Sequence, residues 1–396
     1  MISNYTQLKT IFSHLMPPYS FVFLDEVDKN LETVRTRSGD KLIRLATKSL
    51  RSRPVIEYLI QALGSRCSGL MCFHIDEILW LSEHIQTHFL MGYPQRLTEA
   101  QAKSVAEKMR QGIKIVHMID SIEQVQILNE QAGANQQVFE VCIDLDMSLH
   151  LPGLNFGVFR SPLNELDKLE KLYKFIQNCE FIKCVGLMGY EAQIAGVGDK
   201  IYKFPLMNWI ISLLKKKSTS KIYELRMAAY KKAQEYFALE FVNGGGSGSL
   251  EMTAGDKSVT EVTAGSAFYW PALFDSYEQS FETSAGYAMA VQRKPNDNIV
   301  TTHGGGYVAS GSLHRNKLPV VHSPTQADFH SNEMAGEVQT PITGINADQF
   351  NIGDPIFFRH SKAGELFERF TDIQIIRKNK IETTWKSYRG EGKCFL

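Results

Sequence analysis

Arg44-Leu45-Ala46-Thr47-Lys48-Ser49 is the stretch on which the reading of this chain turns. It follows the apolar pair Leu42-Ile43. It precedes Pro54-Val55-Ile56-Glu57-Tyr58-Leu59-Ile60, whose apolar residues recur at helical spacing. Lys48 therefore stands where a short buried strand ends and a crossover helix begins. In a barrel of alternating strands and helices, that junction is the catalytic rim. An amine at the rim forms a Schiff base when a partly apolar pocket keeps it neutral. On the hexapeptide alone, a solvated lysine at a strand end is the simpler account.

Working outward, short apolar runs at 20–24, 41–46, 69–73, 88–91, 114–119, 138–145, 181–188 and 239–242 read as strands. Helical patterns fall between them. Thr98-Glu99-Ala100-Gln101 is a capping box, and Gly64 stops the helix that begins near Pro54. After 181–188, separate helices are expected from Pro205 and from Ser220, with Lys215-Lys216-Lys217 as a solvated last turn. Eight strands alternating with helices is the count of a (β/α)8 barrel. After Leu250 the helical period stops. The β-like runs 258–262, 287–291, 299–302, 355–358 and 372–376 follow, punctuated by Gly, Asn and Asp. The expected fold is α/β: a barrel over residues 1–250 and an all-β domain over 251–396. Residues 1–18 are available to pack on the second domain.

Composition narrows the function. Forty-three basic residues balance 43 acidic ones. There is no global basic field for nucleic acid or an anionic membrane, so the expected partner is a small molecule. The six cysteines are scattered without a Cys-x-x-Cys pair. That usage suits a reduced, cytoplasmic protein without disulfides. No signal-peptide pattern opens the chain, and no apolar run is long enough to span a bilayer.

Asn243-Gly244-Gly245-Gly246-Ser247-Gly248-Ser249 directly follows the last barrel-like strand. Glycines let backbone N–H groups turn inward, and serine hydroxyls add donors, so the run suits a phosphate. In barrels, phosphate sites commonly lie after strands seven and eight. The composition equally suits a Gly/Ser linker between two domains.

The strand-end lysine, the Gly-rich loop after the eighth run and the β-rich tail together resemble the fold-type III pyridoxal-phosphate (PLP) enzymes. Among these the chain is most similar to D-threonine aldolase and D-serine dehydratase, with an alanine racemase-like TIM barrel. The resemblance implies that Lys48 carries the internal aldimine and that Gly245, Gly246, Ser247, Gly248 and Ser249 hold the cofactor phosphate. Gly186-Leu187-Met188-Gly189-Tyr190-Glu191 resembles the segment lining the cofactor, with Tyr190 as a ring or phosphate neighbour. Arg160, in Phe159-Arg160-Ser161-Pro162, resembles the arginine that faces the cofactor ring.

Relatives carry a divalent-metal pair, His-x-Cys or His-x-Asp, near the place of His360-Ser361-Lys362. A protonated lysine has no lone pair to give a metal. The expectation is therefore no metal ligand set, with the Lys362 ammonium in the cation's place and His360 as an acid or base near the substrate. Glu365 is the alternative ligand. The activity implied is a PLP-dependent lyase on a D-β-hydroxy amino acid, by retro-aldol cleavage or dehydration. A racemase of the same fold and a non-catalytic PLP-binding protein are the alternatives, with a cofactor-free Schiff-base aldolase as a third. The resemblance also implies a head-to-tail homodimer.

Overall fold

The computed structural model describes residues 1–200, 205–311 and 315–395. Eight strands close a barrel: Leu42–Ala46, Cys67–Cys72, His88–Met91, Lys114–Ile119, Phe139–Asp144, Ile182–Gly189, Phe241–Gly244 and Glu261–Ala264. All neighbours pair in parallel, and the seam joins Arg44 to Thr263 and Leu45 to Ala264. The interior is filled by Leu90, Val116, Met118, Cys142, Val185, Met188 and Phe241. The (β/α)8 barrel and the strand-rich C-terminal part are thus as expected, but one of the eight barrel strands is not the one the sequence suggested.

The run 20–24 is not in the barrel. Tyr19–Phe23 lies in a nine-stranded sheet, antiparallel to Ala285–Asn296 and parallel to Asp372–Arg377. All five residues are buried. Tyr19, Phe21 and Phe23 face Leu8, Phe12 and Phe357, while Val22 faces the main core. A strand covered on both faces reads as a continuous apolar run in either setting. The helix Leu24–Arg37 then carries the chain into the barrel.

The strand that takes the vacated place is Glu261–Ala264, past the expected division at residue 250. The overlapping run 258–262 is expected in the second domain; in the barrel its inward residues are polar. Glu261, 2% exposed, accepts from Arg44 Nε at 2.6 Å and Nη2 at 2.9 Å inside the barrel. Val262 and Ala264 pack outward in the core.

One helix, Pro205–Gln234, replaces the two expected there. No Gly or Pro interrupts it after Pro205. Thr219, which could have marked a break, bonds back to the Lys215 carbonyl at 3.0 Å instead. At the chain start, Asn4 caps the helix Tyr5–Ile11, whose Leu8 packs in the same cluster as Phe357. Among the described residues no helix is long and apolar enough to cross a membrane.

The β-rich part leans on the barrel rim at Lys48. Gly364 has φ +82°, and a Cβ there would run into the Lys48 carbonyl. Arg51 Nε donates to that same carbonyl at 3.0 Å. Behind the turn, the buried Glu77 accepts from the Phe73 N–H and from the Tyr388 hydroxyl, both at 2.8 Å. The Lys48 turn is thereby held between the barrel and the chain's last residues.

Candidate active site

The strand Leu42–Ala46 ends in a single 3-10 turn, Thr47–Ser49, which lifts Lys48 to the rim. Its Nζ donates to the Tyr93 hydroxyl at 2.6 Å. Tyr93 follows the strand His88–Met91 by two residues. Gly92 between them lies so close to Met71 that a Cβ would meet its Cγ at 2.8 Å. Arg160 sits between two rings, its guanidinium carbon 5.1 Å from the Tyr93 centroid and 5.4 Å from that of Tyr190. A cation held between two ring faces gains from both.

Opposite Lys48 runs the Gly-rich loop. Gly246 passes so close to Tyr190 and Ala195 that a Cβ would come within 3.1 Å of each. The Ser247 hydroxyl oxygen accepts the Ala267 N–H at 2.8 Å. Among the described residues, the Ser247 and Gly248 N–H groups have no protein acceptor. Gly245 differs: its N–H donates to Glu191 Oε2 at 3.1 Å, away from the cavity.

Glu191 is the anchor under this loop. It is fully buried, and it accepts also from Arg226 Nη2 at 2.9 Å, from the Ser249 hydroxyl at 3.4 Å and from the Thr253 hydroxyl. Arg226, fully buried too, donates to the Gly189 carbonyl at 2.9 Å and to Asp256 Oδ2 at 2.8 Å. One buried cation between two buried carboxylates ties the end of one barrel strand to the loop after the next.

Lys48, Arg160, Tyr190, Gly245, Gly246 and Ser247 line one cavity, together with Tyr93, Asn243 and Thr263. Gly248 and Ser249 do not line it. Gly248 is pressed against Tyr277 and the Ala195 carbonyl, and the Ser249 hydroxyl accepts the Gly246 N–H at 3.1 Å. Both shape the loop from behind.

His360 and Lys362 are not brought to this cavity. They line a neighbouring one with Tyr307 and Glu365. The His360 ring nitrogens are buried and unpartnered among the described residues, and burial, then Arg359, pulls the imidazole down to about 3. The structure thus sets His360 beside Lys362 and Glu365 rather than beside Lys48. Lys362 Nζ donates to the Ser310 hydroxyl at 2.7 Å and pairs with Glu365 at 3.1 Å. Its charge nevertheless reaches the Tyr93 phenol. Among the described residues, no group of three or more His, Cys, Asp or Glu is placed to hold a metal ion.

Electrostatically the rim is divided. Burial raises Tyr190 to about 12 and Asp144 to about 7, although Arg160 pulls both down. Burial also pushes Tyr93 up, but Lys48, Arg160 and Lys362 outweigh it, and the net shift is downward. Sequence reasoning missed Tyr93, Asn243, Thr263 and the Glu191–Arg226 anchor. Tyr93 had one signal: Gly92-Tyr93-Pro94 stands at a strand end, as Lys48 does.

The model of the alanine racemase N-terminal domain matches residues 22–272, from within the displaced first strand to beyond the barrel seam. The chain belongs to this family of fold-type III pyridoxal-phosphate enzymes. No curated protein sequence matches it. Among solved structures, D-threonine aldolase from Filomicrobium marinum is similar with a TM-score of 0.76 at 15% identity, over 93% of this chain and 94% of that one. D-threo-3-hydroxyaspartate dehydratase from Delftia sp. HT23 gives 0.70 at 15% identity, over 94% and 97%. Alanine racemase from Clostridium difficile 630 gives 0.65 at 15% identity, over 94% and 99%. At such identities the likeness to these structures is one of fold. The family's cofactor fits the residues present: an amine at the rim, a close-packed glycine cradle that a Cβ would fill, and loop N–H groups without protein acceptors.

Proposed function

We propose that this enzyme is a PLP-dependent lyase acting on a D-β-hydroxy amino acid. The supporting observation is the Lys48 amine, bonded to Tyr93, facing the Gly246–Ser247 cradle across one cavity. When bound, pyridoxal phosphate supplies an electron sink for the bond broken at Cα. The chain's residues do the rest. Lys48 offers the attacking amine. The Ser247 N–H and hydroxyl, at the cavity wall, would hold the phosphate. Arg160, wedged between Tyr93 and Tyr190, would help hold the cofactor in this cavity. Lys362 adds positive charge from the adjoining cavity where a β-hydroxyl ionises, a place suited to electrostatic stabilisation. We extend the proposal to a homodimer, for which Phe159, 94% exposed, and Trp209, 59% exposed, offer apolar surface.

The test is borohydride reduction of the PLP-loaded protein, peptide mapping, and assay with D-threonine and D-serine. A reduced adduct on Lys48, with glycine and acetaldehyde or pyruvate and ammonia released, is expected. An adduct on another lysine would overturn the assignment. Conversion of D- to L-isomer without cleavage would move the enzyme to the racemases.

A further inference from the structure

The Lys48 ammonium has to lose a proton before its nitrogen can attack a carbonyl. Among the described residues its one hydrogen-bond partner is the Tyr93 hydroxyl, at 2.6 Å. We propose that Tyr93 is a catalytic residue that takes the proton from Lys48 and later returns it. The assignment rests on the lyase reading only in presuming that Lys48 reacts.

The proton transfer balances within the pair. An N–H bond of the Lys48 ammonium breaks and its electron pair stays on Nζ. The proton bonds to the Tyr93 phenolate oxygen. A cation and an anion become a neutral amine and a neutral phenol, with no other reagent required. The distance is within the reach of general acid–base catalysis.

The geometry keeps the phenol in place. Gly92 is pinned against Met71, and Pro94 restricts the backbone of Tyr93 to extended conformations. Arg160 stands over the ring face. The charged and titratable groups facing the phenol come from four elements. Lys48 belongs to the first barrel turn, Arg160 to the loop after Phe139–Asp144, Lys362 to the β-rich part, and Tyr190 to the end of Ile182–Gly189. Three of the four are cations, so a phenolate here is stabilised on several sides. Neighbouring tyrosines are treated in the opposite way: burial raises Tyr190 to about 12 and pushes Tyr269 and Tyr277 up. Tyr93 is therefore the tyrosine of this region that ionises first.

The test uses the full chain before any pyridoxal phosphate is added. Tyrosinate formation is followed by ultraviolet difference absorbance against pH. Wild type should show a one-tyrosine step below the main tyrosine transition. Tyr93→Phe should lack that step, and Lys48→Met should move it to higher pH, because the cation bonded to the phenol oxygen is then gone. A second arm measures the rate at which added pyridoxal phosphate gains its bound-state visible absorbance. Tyr93→Phe should slow this by about 10²–10⁴-fold and alter its pH profile, with the final amplitude retained. A merely structural tyrosine would change the amplitude and leave the pH profile of the rate alone. An early step that persists in Tyr93→Phe, or one unmoved in Lys48→Met, overturns the proposal. So does capture by Tyr93→Phe at the wild-type rate. If wild type captures no pyridoxal phosphate, the lyase reading fails, and the ultraviolet arm still decides the Lys48–Tyr93 pair. Circular dichroism checks each variant's fold. Should Tyr93→Phe not fold, the Lys48→Met shift alone remains decisive.

Discussion

Replacing Arg226 by Met is the sharpest probe of how the cofactor loop is held. The methionine keeps much of the volume and removes the one cation between Glu191 and Asp256. All three side chains are at most 2% exposed, so solvent cannot supply the missing charge. Removing one partner of a buried pair typically costs ~3–5 kcal/mol, because the other charge stays buried and uncompensated. Glu191 retains the Gly245 N–H and two hydroxyl donors, and Asp256 retains the Ser258 N–H and hydroxyl, which places the loss toward the lower end. At ~2–4 °C per kcal/mol for chains of somewhat smaller size, the melting temperature should fall by roughly 6 °C or more. Urea unfolding of wild type, Arg226→Met, Glu191→Gln and the double variant measures the coupling. The double variant should be more stable than the sum of the two single losses suggests, by about 1–3 kcal/mol. Additive losses, or an Arg226→Met variant within 1 kcal/mol of wild type, would refute the idea that this cation holds the loop.

Three further outcomes are expected. Gly246→Val should weaken pyridoxal-phosphate affinity by at least tenfold in an absorbance titration, since its side chain would meet Tyr190 and Ala195, while pyridoxal lacking the phosphate is affected less. Lys362→Met should lower kcat by orders of magnitude with the circular dichroism spectrum unchanged, and chelators should leave wild-type turnover untouched. Glu77 is raised to about 7, mainly by burial, so between the unfolded carboxyl value and that point the unfolded chain ionises while the folded one does not. Its contribution is full below the unfolded value and fades as pH rises toward 7, by about 3 kcal/mol at most; Glu77→Gln should flatten that part of the stability profile measured by urea unfolding.

The count of barrel strands was legible because most of them are short apolar runs with helices between. Their membership was not. Tyr19-Ser20-Phe21-Val22-Phe23 is as apolar as any barrel strand, and nothing local says which sheet covers it. The run 258–262 reads as β-like, but nothing in it points to the barrel, since a buried carboxylate is legible only beside its partner, and Arg44 lies 217 residues away from Glu261. In the candidate site, Lys48, Arg160, Tyr190 and the glycines stood out by position and resemblance, and the structure gathers Lys48, Arg160, Tyr190 and Gly245–Ser247 around one cavity. Tyr93 has no motif. Its meaning comes from a 2.6 Å approach to Lys48 that only the closed barrel creates. Which cavity His360 lines was not legible either: only the fold sets it with Lys362 and Glu365, both ring nitrogens buried, rather than beside Lys48.

The strand Tyr19–Phe23 has a consequence for the chain as it leaves the ribosome. Ser20 bonds the Asp372 carbonyl across 352 residues, and the strand's other neighbour begins at Ala285. At ~5–20 residues per second, roughly 18–70 s separate the synthesis of Ser20 from that of Asp372. The barrel seam forms earlier, once Glu261–Ala264 has emerged beside Leu42–Ala46. Three aromatic rings thus wait unpaired ahead of a barrel that is already closing, the kind of exposed strand that invites chaperone capture. A strand made before the barrel is housed after it.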